Sequence, residues 1–405
     1  MNAAIEPARI SGNVHELGAR PSDLMGRARA AAQVALENAA AVDSEGRFPT
    51  EAFAELRRQR LLGAMVPTAL TGEGASLGQL IDVCFTLGQA CSSTALIYAM
   101  HQIKMACIIR HTKGNPALEN ILRRVAGEQL LMASSTTEGQ AGGNVRSSEA
   151  AVEQHDGRIT LERKATVMSY AVEADGIVTT ARRSADAAGS DQVLVVLLKS
   201  DYTLERLKVW DTLGMRGTHS EGFTLRVNAS AEQILPEPYE KIHAHTMVPH
   251  AHLLWGAVWS GIAAAAAGKA QTFVRHAMRQ SGGQLPPGAA HFTKALSTLR
   301  TLRGVLKSTL HAYEAAWNDD KAMAALEFQS IMTLTKVQAS EMALETVLSS
   351  MRACGLSGYR NDTEFSIGRH LRDILSAPLM INNDRILANL ATASLMTPLP
   401  TSISG

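Results

Sequence analysis

The hydrophobic pattern of this 405-residue chain changes twice, and these two changes constrain its fold more than any other feature. Up to about residue 129 the apolar residues recur at helical spacing, then they form short alternating runs, and from about residue 237 the helical spacing returns. A period of two residues is typical of strands, and a period of three to four is typical of helices. The sequence therefore predicts an α+β, mostly α, protein with an N-terminal helical domain (1–129), a small β domain (130–236) and a C-terminal helical bundle (237–405).

Turn and capping residues mark several of the predicted elements. Asp23, together with Ser22, is suited to cap the first long helix, and Thr50 to cap the second. Asp156-Gly157 lies between two alternating runs and is a typical hairpin turn. The runs predicted to be strands are 131–135, 158–164, 176–180, 192–198 and 223–227. In the C-terminal region one apolar stripe has helical spacing, and its members are Leu334, Val337, Leu344, Leu348 and Met351.

Composition argues against several classes of function and location. The 39 basic residues are balanced by 38 acidic ones, so no global field favours nucleic acid or a membrane surface. The four cysteines show no CxxC spacing and indicate buried thiols in a reducing compartment. No secretory signal is visible, and the most apolar window, Leu253–Gly268, is short and closed by Lys269. We therefore expect a cytoplasmic protein in which this window is a buried helix.

The common catalytic sequence motifs are absent. The chain has no GxGxxG after a strand, no GxxxxGK[ST], no HExxH and no GxSxG. His243, His245, His250 and His252 are close enough to suggest a metal site, but no Cys or carboxylate partner accompanies them. We interpret them as a polar cluster that caps a helix, and we predict no metal.

Two segments of the β region carry the most specific signal: Trp210-Asp-Thr-Leu-Gly-Met-Arg-Gly-Thr-His-Ser-Glu-Gly-Phe223 and Thr136-Thr-Glu-Gly-Gln-Ala-Gly-Gly-Asn-Val145. Together they resemble the flavin-binding β domain of the acyl-CoA dehydrogenase family. The second resembles the family's Thr-Glu-Pro-Gly-Ala-Gly-Ser-Asp turn, which lies against the flavin ring. The resemblance implies that the Thr137 hydroxyl bonds the pyrimidine end of the flavin, and that Ser135 and Gly142 are also flavin-binding residues.

A second strand extends the resemblance within the β domain. Lys164-Ala-Thr-Val-Met-Ser169 resembles the next flavin-contacting strand, which implies that Met168 and Ser169 approach the flavin. Leu213-Gly-Met-Arg-Gly-Thr218 is the best-matching segment of all. Because its glycines allow a tight connection between strands, we expect its role to be mostly structural.

The resemblance continues in the C-terminal bundle. Arg279 corresponds to a family arginine that contacts the flavin pyrophosphate, which suits a guanidinium. Cys354-Gly-Leu-Ser-Gly-Tyr359 resembles the glycine turn that receives the adenine half of FAD from a neighbouring subunit, which assigns Gly355 and Gly358 to the cofactor. The resemblance therefore implies FAD as cofactor and a homodimer or homotetramer.

The chain departs from the family where the catalytic base is expected. Most members carry this base as a Glu in a Tyr-Glu-Gly-Thr segment after an Arg-Asp turn. Counting from Arg372-Asp373, Ile381 takes the Glu position, while Asn382 and Asn383 replace Gly-Thr and inherit its place beside the cofactor. Some relatives carry the base earlier, where this chain has Val258-Trp259. A hydrocarbon side chain cannot take a proton, so the catalytic base is not identified.

The resemblance nevertheless implies an FAD-dependent oxidoreductase that catalyses α,β-dehydrogenation of an acyl-CoA or acyl-carrier-protein thioester and needs an electron acceptor. Two alternatives stay open. The first is a monooxygenase of the same fold, supplied with reduced flavin by a partner reductase; such enzymes can carry a pocket histidine where this chain has His101. The second is a flavin-fold binding protein without catalysis. Nucleic acid and membrane partners are not expected.

Overall fold

The computed structural model describes residues 23–138 and 145–396. In it, helices precede a small β region and helices follow it, so the predicted fold class is confirmed. This arrangement places one crevice between all three regions.

In the part of the N-terminal region that the structure describes there are five helices. The Asp23 carboxylate accepts the backbone N–H of Met25 at 3.1 Å, which confirms the predicted cap of the first helix. The second helix begins at Thr50 and its N-cap is Pro49, so the predicted capping role of Thr50 is wrong. The helices are α1 (Leu24–Glu45), α2 (Thr50–Arg58), α3 (Leu77–Ala90), α4 (Ser92–His111) and α5 (Pro116–Glu128).

Among the described residues, seven strands form two small sheets. One sheet has the order β1-β4-β5, with β1 parallel to β4, and the other has the antiparallel order β2-β3-β7-β6. Asp156 and Gly157 join β2 to β3 with φ of 48° and 74°, and positive φ at both central residues confirms the predicted hairpin turn. The strands are β1 (Met132–Ser135), β2 (Glu153–His155), β3 (Arg158–Met168), β4 (Gly176–Arg182), β5 (Gln192–Leu198), β6 (Tyr202–Lys208) and β7 (Glu221–Ser230).

Two strands were missing from the prediction. β2 has only three residues, all exposed, and six of the seven residues of β6 lie outside the core. Both are edge strands of their sheet. An edge strand that buries few side chains leaves little apolar alternation in the sequence, so neither strand could be read from the pattern.

The C-terminal bundle contains the longest helices. Short helices and a π-helical segment, His243–Met247, complete it. The elements are α6 (Tyr239–Ile242), α7 (Val248–Gln280), α8 (Ala289–Ala316), α9 (Asp320–Ala324), α10 (Leu326–Cys354), α11 (Leu356–Tyr359), α12 (Gly368–Ile374), α13 (Ser376–Leu379) and α14 (Asn383–Met396).

α7 runs through the middle of the molecule. Among the described residues, the helical stretch 239–280 is long and apolar enough to cross a membrane by length and composition, but 78% of its most apolar window is buried. It crosses α3 at Gly88 and Gly261, where an added Cβ on Gly88 would lie 2.6 Å from the Val258 carbonyl oxygen. The two backbones therefore touch, and α7 is a core helix here.

The apolar stripe predicted on α10 lies at the margin of the core, where Leu344 and Met351 pack against it. Leu348 is 39% exposed, and Leu334, Val337, Leu344 and Met351 are only partly buried. The buried face of α10 instead carries small and polar residues, because α7 and α8 pack closely against it.

The segment Leu213–Thr218 joins the β region to both helical regions. Asp373 accepts the backbone N–H of Met215 at 2.8 Å, and Arg216 donates to the Asp43 carbonyl at 2.7 Å. A Cβ on Gly214 would collide with the backbone of Arg372. These contacts support the structural role expected for this segment.

Candidate active site

A cavity of about 350 Å³ lies where the three regions meet. α4 and the end of β1 form one side of it, the π-helical segment and α7 form the second, and α10 with α14 form the third. Most of its wall is apolar, with Met100, Ile103 and Trp255 among the lining residues. Pockets for small ligands and cofactors are typically of this size and occur at such junctions.

The end of β1 supplies two hydroxyl groups to this cavity. Ser134 and Thr136 line it. Because alternate strand residues point to opposite faces, Ser135 is buried on the other side, where its carbonyl accepts the Thr179 hydroxyl at 2.9 Å. The Ser135 hydroxyl has no partner among the described residues. Ser134 and Thr136, which were not selected from the sequence, are therefore the residues that present side chains here.

Glu138 anchors the chain as it leaves β1. Its carboxylate accepts the backbone N–H groups of Glu149 and Ala150, the latter at 3.2 Å, and pairs with Arg163 at 3.2 Å. Arg163 is fully buried. A buried ion pair that also bonds the backbone holds a chain segment firmly, so Glu138 fixes the position of the neighbouring Thr137.

His252 on α7 brings a neutral imidazole to the cavity. Its Nδ1 lies 2.8 Å from the carbonyl oxygen of Met332 and must donate, since a carbonyl only accepts. Burial lowers the pKa of His252 to about 4, so the ring is neutral at physiological pH. The Nε2 atom therefore carries a lone pair that can accept a proton or a hydrogen bond.

His243 lies at the start of the π-helical segment and also lines the cavity. Burial and then the charge of Arg146 lower its pKa well below the usual range. The π-helical winding changes which side chains face inward, and such segments are frequent at functional sites. His243 and His252 were assigned from the sequence to a capping cluster, but they belong to the cavity wall.

Lys104 adds an amino group to the wall. Its side chain is 4% exposed, and its Nζ donates to the Met247 sulfur at 3.5 Å. No carboxylate of the described residues forms an ion pair with it. Burial lowers the pKa of Lys104 to about 8, which leaves it mostly protonated at neutral pH.

No Asp or Glu is among the described residues that line this cavity. Ile381, at the sequence position where the family base is expected, does line it, with a φ of 49° that is unfavourable for a β-branched residue. Val258 and Trp259, the other expected position, are fully buried outside the wall. The cavity thus contains nitrogen bases and hydroxyls but no carboxylate from the described chain.

A second, more open space of about 1010 Å³ adjoins the cavity. Arg146, His243, Leu326 and Gln329 line both spaces, so they meet at these side chains. The acidic residues of this region, Asp191, Glu240 and Asp320, belong to the second space only.

His101 does not line the cavity. Its Nε2 lies 2.8 Å from the Leu62 carbonyl and its Nδ1 accepts the backbone N–H of Met132 at 3.0 Å, so both nitrogens are engaged. Burial lowers its pKa to about 4. His101 fastens β1 to the N-terminal helices, a placement that speaks against the proton-transfer role considered for it.

The second predicted flavin-contacting strand ends in a hydroxyl cluster. Met168 is buried opposite Glu221 across a bulge between β3 and β7. The Ser169 hydroxyl lies 2.8 Å from that of Ser220, which bonds Thr218 in turn. None of these residues lines the 350 Å³ cavity. Gly142 lies outside the described residues.

Asn382 and Asn383 have distinct structural roles. The Asn382 side chain caps α14 by accepting the backbone N–H of Asp384 at 2.8 Å. Asn383 is buried and accepts from Lys336 Nζ at 2.6 Å while donating to Glu341 at 2.7 Å. Neither side chain lines the cavity, whereas Ile381 beside them does.

The predicted pyrophosphate and adenine contacts lie away from the cavity. Arg279 is exposed near the C-terminal end of α7. Gly355 breaks the chain between α10 and α11 with a φ of 55°, and Gly358 is buried against Cys354. The structure does not bring these residues together with Ser134 and Thr136 around the 350 Å³ cavity.

The chemistry of the cavity fits an isoalloxazine ring, which has wide apolar faces and an edge of N–H and carbonyl groups. Trp255 Nε1 is a buried donor with no partner among the described residues, and Trp255 lines the cavity. A buried N–H without a partner is costly unless a ligand accepts it. The Ser134 and Thr136 hydroxyls offer further partners, and the adjoining space leaves room for the rest of a cofactor.

Comparison with known proteins agrees with this arrangement. Residues 23–126 match the family described as acyl-CoA dehydrogenase, N-terminal domain. The chain is 25% identical over 369 residues, 88% of its length, to cyclohex-1-ene-1-carbonyl-CoA dehydrogenase of Geobacter metallireducens, of which 92% is covered. It is 22% identical over 365 residues to the probable FMNH2-dependent monooxygenase SfnC of Pseudomonas putida, covering 86% of this chain and 87% of that one.

A solved structure shares the fold over nearly the whole chain. FMN-bound TdsC from Paenibacillus sp. A11-2 aligns with a TM-score of 0.81 at 17% identity, covering 93% of this chain and 98% of that one. The relatives of this chain thus include a dehydrogenase and a probable monooxygenase, and the residues of the site must distinguish the two reactions.

Proposed function

We propose that this chain belongs to the acyl-CoA dehydrogenase family, as its matches to that family's N-terminal domain and to two curated relatives support, and that it uses a reduced flavin to activate dioxygen and oxygenate a small organic substrate. The observation that carries this proposal is the cavity wall, where Ile381 takes the place of the catalytic Glu and the described side chains include no carboxylate. Dehydrogenation of a thioester needs a base at the α-carbon, and a hydrocarbon cannot serve. Oxygenation does not need a carboxylate there.

Bound reduced flavin would supply the electrons that activate dioxygen. The described residues would provide the remaining functions. Met100, Ile103 and Ile381 keep water out of the cavity, which protects reactive species from side reactions. His252, neutral and with Nε2 as acceptor, would take a proton from the substrate or hold its hydroxyl group.

The flavin can be FMN or FAD. The resemblance at Arg279, Gly355 and Gly358 favours FAD, whereas FMN is named for two of the related proteins. An oxygenase of this kind receives its electrons from a separate flavin reductase, which we propose as the partner. We further propose that the protein is a homodimer or homotetramer, which the exposed Leu356, Tyr359 and Leu379 on the bundle support. The four free, buried cysteines support a location in the cytoplasm.

Dehydrogenation of an acyl-CoA or acyl-carrier-protein thioester is the second candidate. The observation that favours it is the 25% identity to a CoA-thioester dehydrogenase across 88% of the chain. In that case the proton acceptor would be His252 or His243, since these are the neutral bases of the described wall.

An oxygen electrode tests the proposal. The purified protein should consume oxygen in step with substrate only when a flavin reductase supplies reduced FMN or FAD. A matched anaerobic titration of the flavin-loaded protein with a panel of acyl-CoA thioesters should leave the flavin absorbance unchanged. Bleaching by any thioester in that panel would contradict the proposal and favour dehydrogenation. The absence of both responses would favour the non-catalytic alternative.

A further inference from the structure

Lys104 is an unusual residue for the place it occupies. It lies on α4, of which seventeen residues are buried, and only 4% of it is exposed. Burying an ammonium group costs several kcal/mol unless a counter-charge or good acceptors surround it. Among the described residues its acceptor is the Met247 thioether at 3.5 Å, and a thioether sulfur is a weak acceptor.

The groups around Lys104 do not neutralise it. His243 and His252 line the cavity on the α7 side, and Arg146 lines it on the β side. Both histidines are neutral, and Cys107 on α4 itself is protonated because burial raises its pKa to about 12. Arg385 on α14 adds a further positive charge to the wall. No anionic side chain of the described residues lines the cavity beside Lys104.

We propose that Lys104 is a specificity residue that binds an oxyanion of the substrate, and that the substrate is a small, mostly apolar organic acid. The apolar wall formed by Met100, Ile103 and Trp255 would hold the hydrocarbon part. The acid group would supply a stronger acceptor than the Met247 sulfur that the described residues offer to the buried ammonium. A charge-assisted hydrogen bond in such a dry site is about twice as strong as a neutral one.

This proposal deepens the proposed function, because it names the substrate class of the same cavity. It does not depend on which reaction follows, since binding can be measured without turnover. The two can therefore fail separately: oxygen consumption tests the reaction, and ligand affinity tests the role of Lys104.

The experiment compares benzoate with benzamide, which have nearly the same shape but differ in charge. Both are titrated calorimetrically into the protein loaded with oxidised FMN. Benzoate should bind at least about tenfold more tightly than benzamide, as expected for one charge-assisted bond. Its affinity should fall as the pH rises above about 8, where the free Lys104 loses its proton. Both histidines stay neutral throughout that range.

Variants at Lys104 assign the effect to this residue. Lys104→Met should lower the affinity for benzoate about ten- to a hundredfold and leave that for benzamide unchanged, while Lys104→Arg should retain most of it. Flavin content and thermal unfolding of each variant confirm that it is folded. Lys104→Gln, which keeps a donor but no charge, serves as a second test should the Met variant not fold. Equal binding of the two ligands, no binding of benzoate, or unchanged affinity in the variants would overturn the proposal.

Discussion

At the scale of single residues, the chemistry of this site depends on one replacement. Ile381 lines the cavity where a carboxylate is expected in the family, and it does so with a backbone conformation that a β-branched residue rarely adopts. The other described residues of the cavity wall, such as Ser134, Thr136 and Trp255, are compatible with either reaction. The presence or absence of a carboxylate at position 381 is therefore the feature that best separates the two functions.

Restoring the carboxylate should restore the family reaction in part. In Ile381→Glu, anaerobic addition of a suitable acyl-CoA should bleach the bound flavin, because a base now faces the α-carbon. The bleaching should be about a hundredfold faster than in Ile381→Gln, which has the same shape but cannot take the proton. Equal rates in the Glu and Gln variants would show that position 381 is not where the α-proton is removed.

A second prediction concerns Arg279 and the cofactor. If this exposed arginine contacts a pyrophosphate, Arg279→Ala should weaken FAD binding about tenfold and leave FMN unaffected, since FMN has a single phosphate. Arg275→Ala, an exposed arginine one turn earlier on α7, is the matched control. Fluorescence titration with each flavin measures both affinities, and an unchanged affinity for FAD would remove Arg279 from the cofactor site.

At the scale of secondary structure elements, the crevice depends on how closely the helices and β1 are held. α3 and α7 touch through Gly88 and Gly261, and the exit of β1 is fixed by Glu138 and Arg163. Neither contact takes part in chemistry. Both determine whether the wall of the cavity keeps its shape.

The helix crossing has little room for a side chain. Gly88→Ala should lower the free energy of unfolding by about 2 kcal/mol, because the new Cβ would lie 2.6 Å from the Val258 carbonyl oxygen. Gly304→Ala on α8 is the control: nothing lies within 4 Å of its Cβ, and the helix propensity of Ala should raise stability by about 1 kcal/mol. Urea unfolding measures both, and equal shifts would refute the close crossing.

Loss of the Glu138–Arg163 ion pair, which anchors the end of β1, should lower both stability and flavin affinity. Glu138→Gln leaves the buried Arg163 without its counter-charge, which should lower the free energy of unfolding by about 3 kcal/mol and weaken flavin binding. The double variant Glu138→Leu with Arg163→Met should recover most of the stability, since replacing both charges removes the unpaired one. A double variant whose loss of stability equals the sum of the losses in Glu138→Leu and Arg163→Met alone would show that the pair is not coupled.

At the scale of the whole molecule, buried neutral histidines make stability depend on pH. Burial lowers the pKa of His101, His250 and His252 to about 4, whereas unfolded histidines titrate near 6.5. Between these values the unfolded chain binds more protons than the folded one, so the free energy of unfolding falls as the pH drops from about 6.5 to 4. Each histidine contributes up to about 1.4 kcal/mol per pH unit.

Urea unfolding at a series of pH values measures this slope. In His101→Gln, whose side chain cannot take up a proton, this slope should be smaller by the contribution of one histidine, which is up to about 1.4 kcal/mol per pH unit. Stability that stays level between pH 6.5 and 4.5 would contradict the buried, neutral state of these rings.

The sequence predicted local features well and the site only in part. Asp23 and Asp156-Gly157 act through neighbouring backbone atoms, so their roles could be recognised from the pattern. Lys104 and His252 stand far apart in the chain, and only folding brings them to one wall. A lysine inside an otherwise apolar helical run was nevertheless a visible signal. The α10 stripe lies only at the margin of the core because its helix buries mostly small and polar residues against its neighbours.

The proposed activation of dioxygen by reduced flavin is tested most directly by the reaction of the bound flavin with oxygen. The protein is loaded with flavin, reduced without air, and mixed rapidly with oxygenated buffer while the flavin absorbance is followed. We predict that the bound reduced flavin reacts with oxygen within seconds. A bound flavin that stays reduced for minutes in air, together with bleaching of the oxidised protein by an acyl-CoA, would contradict it.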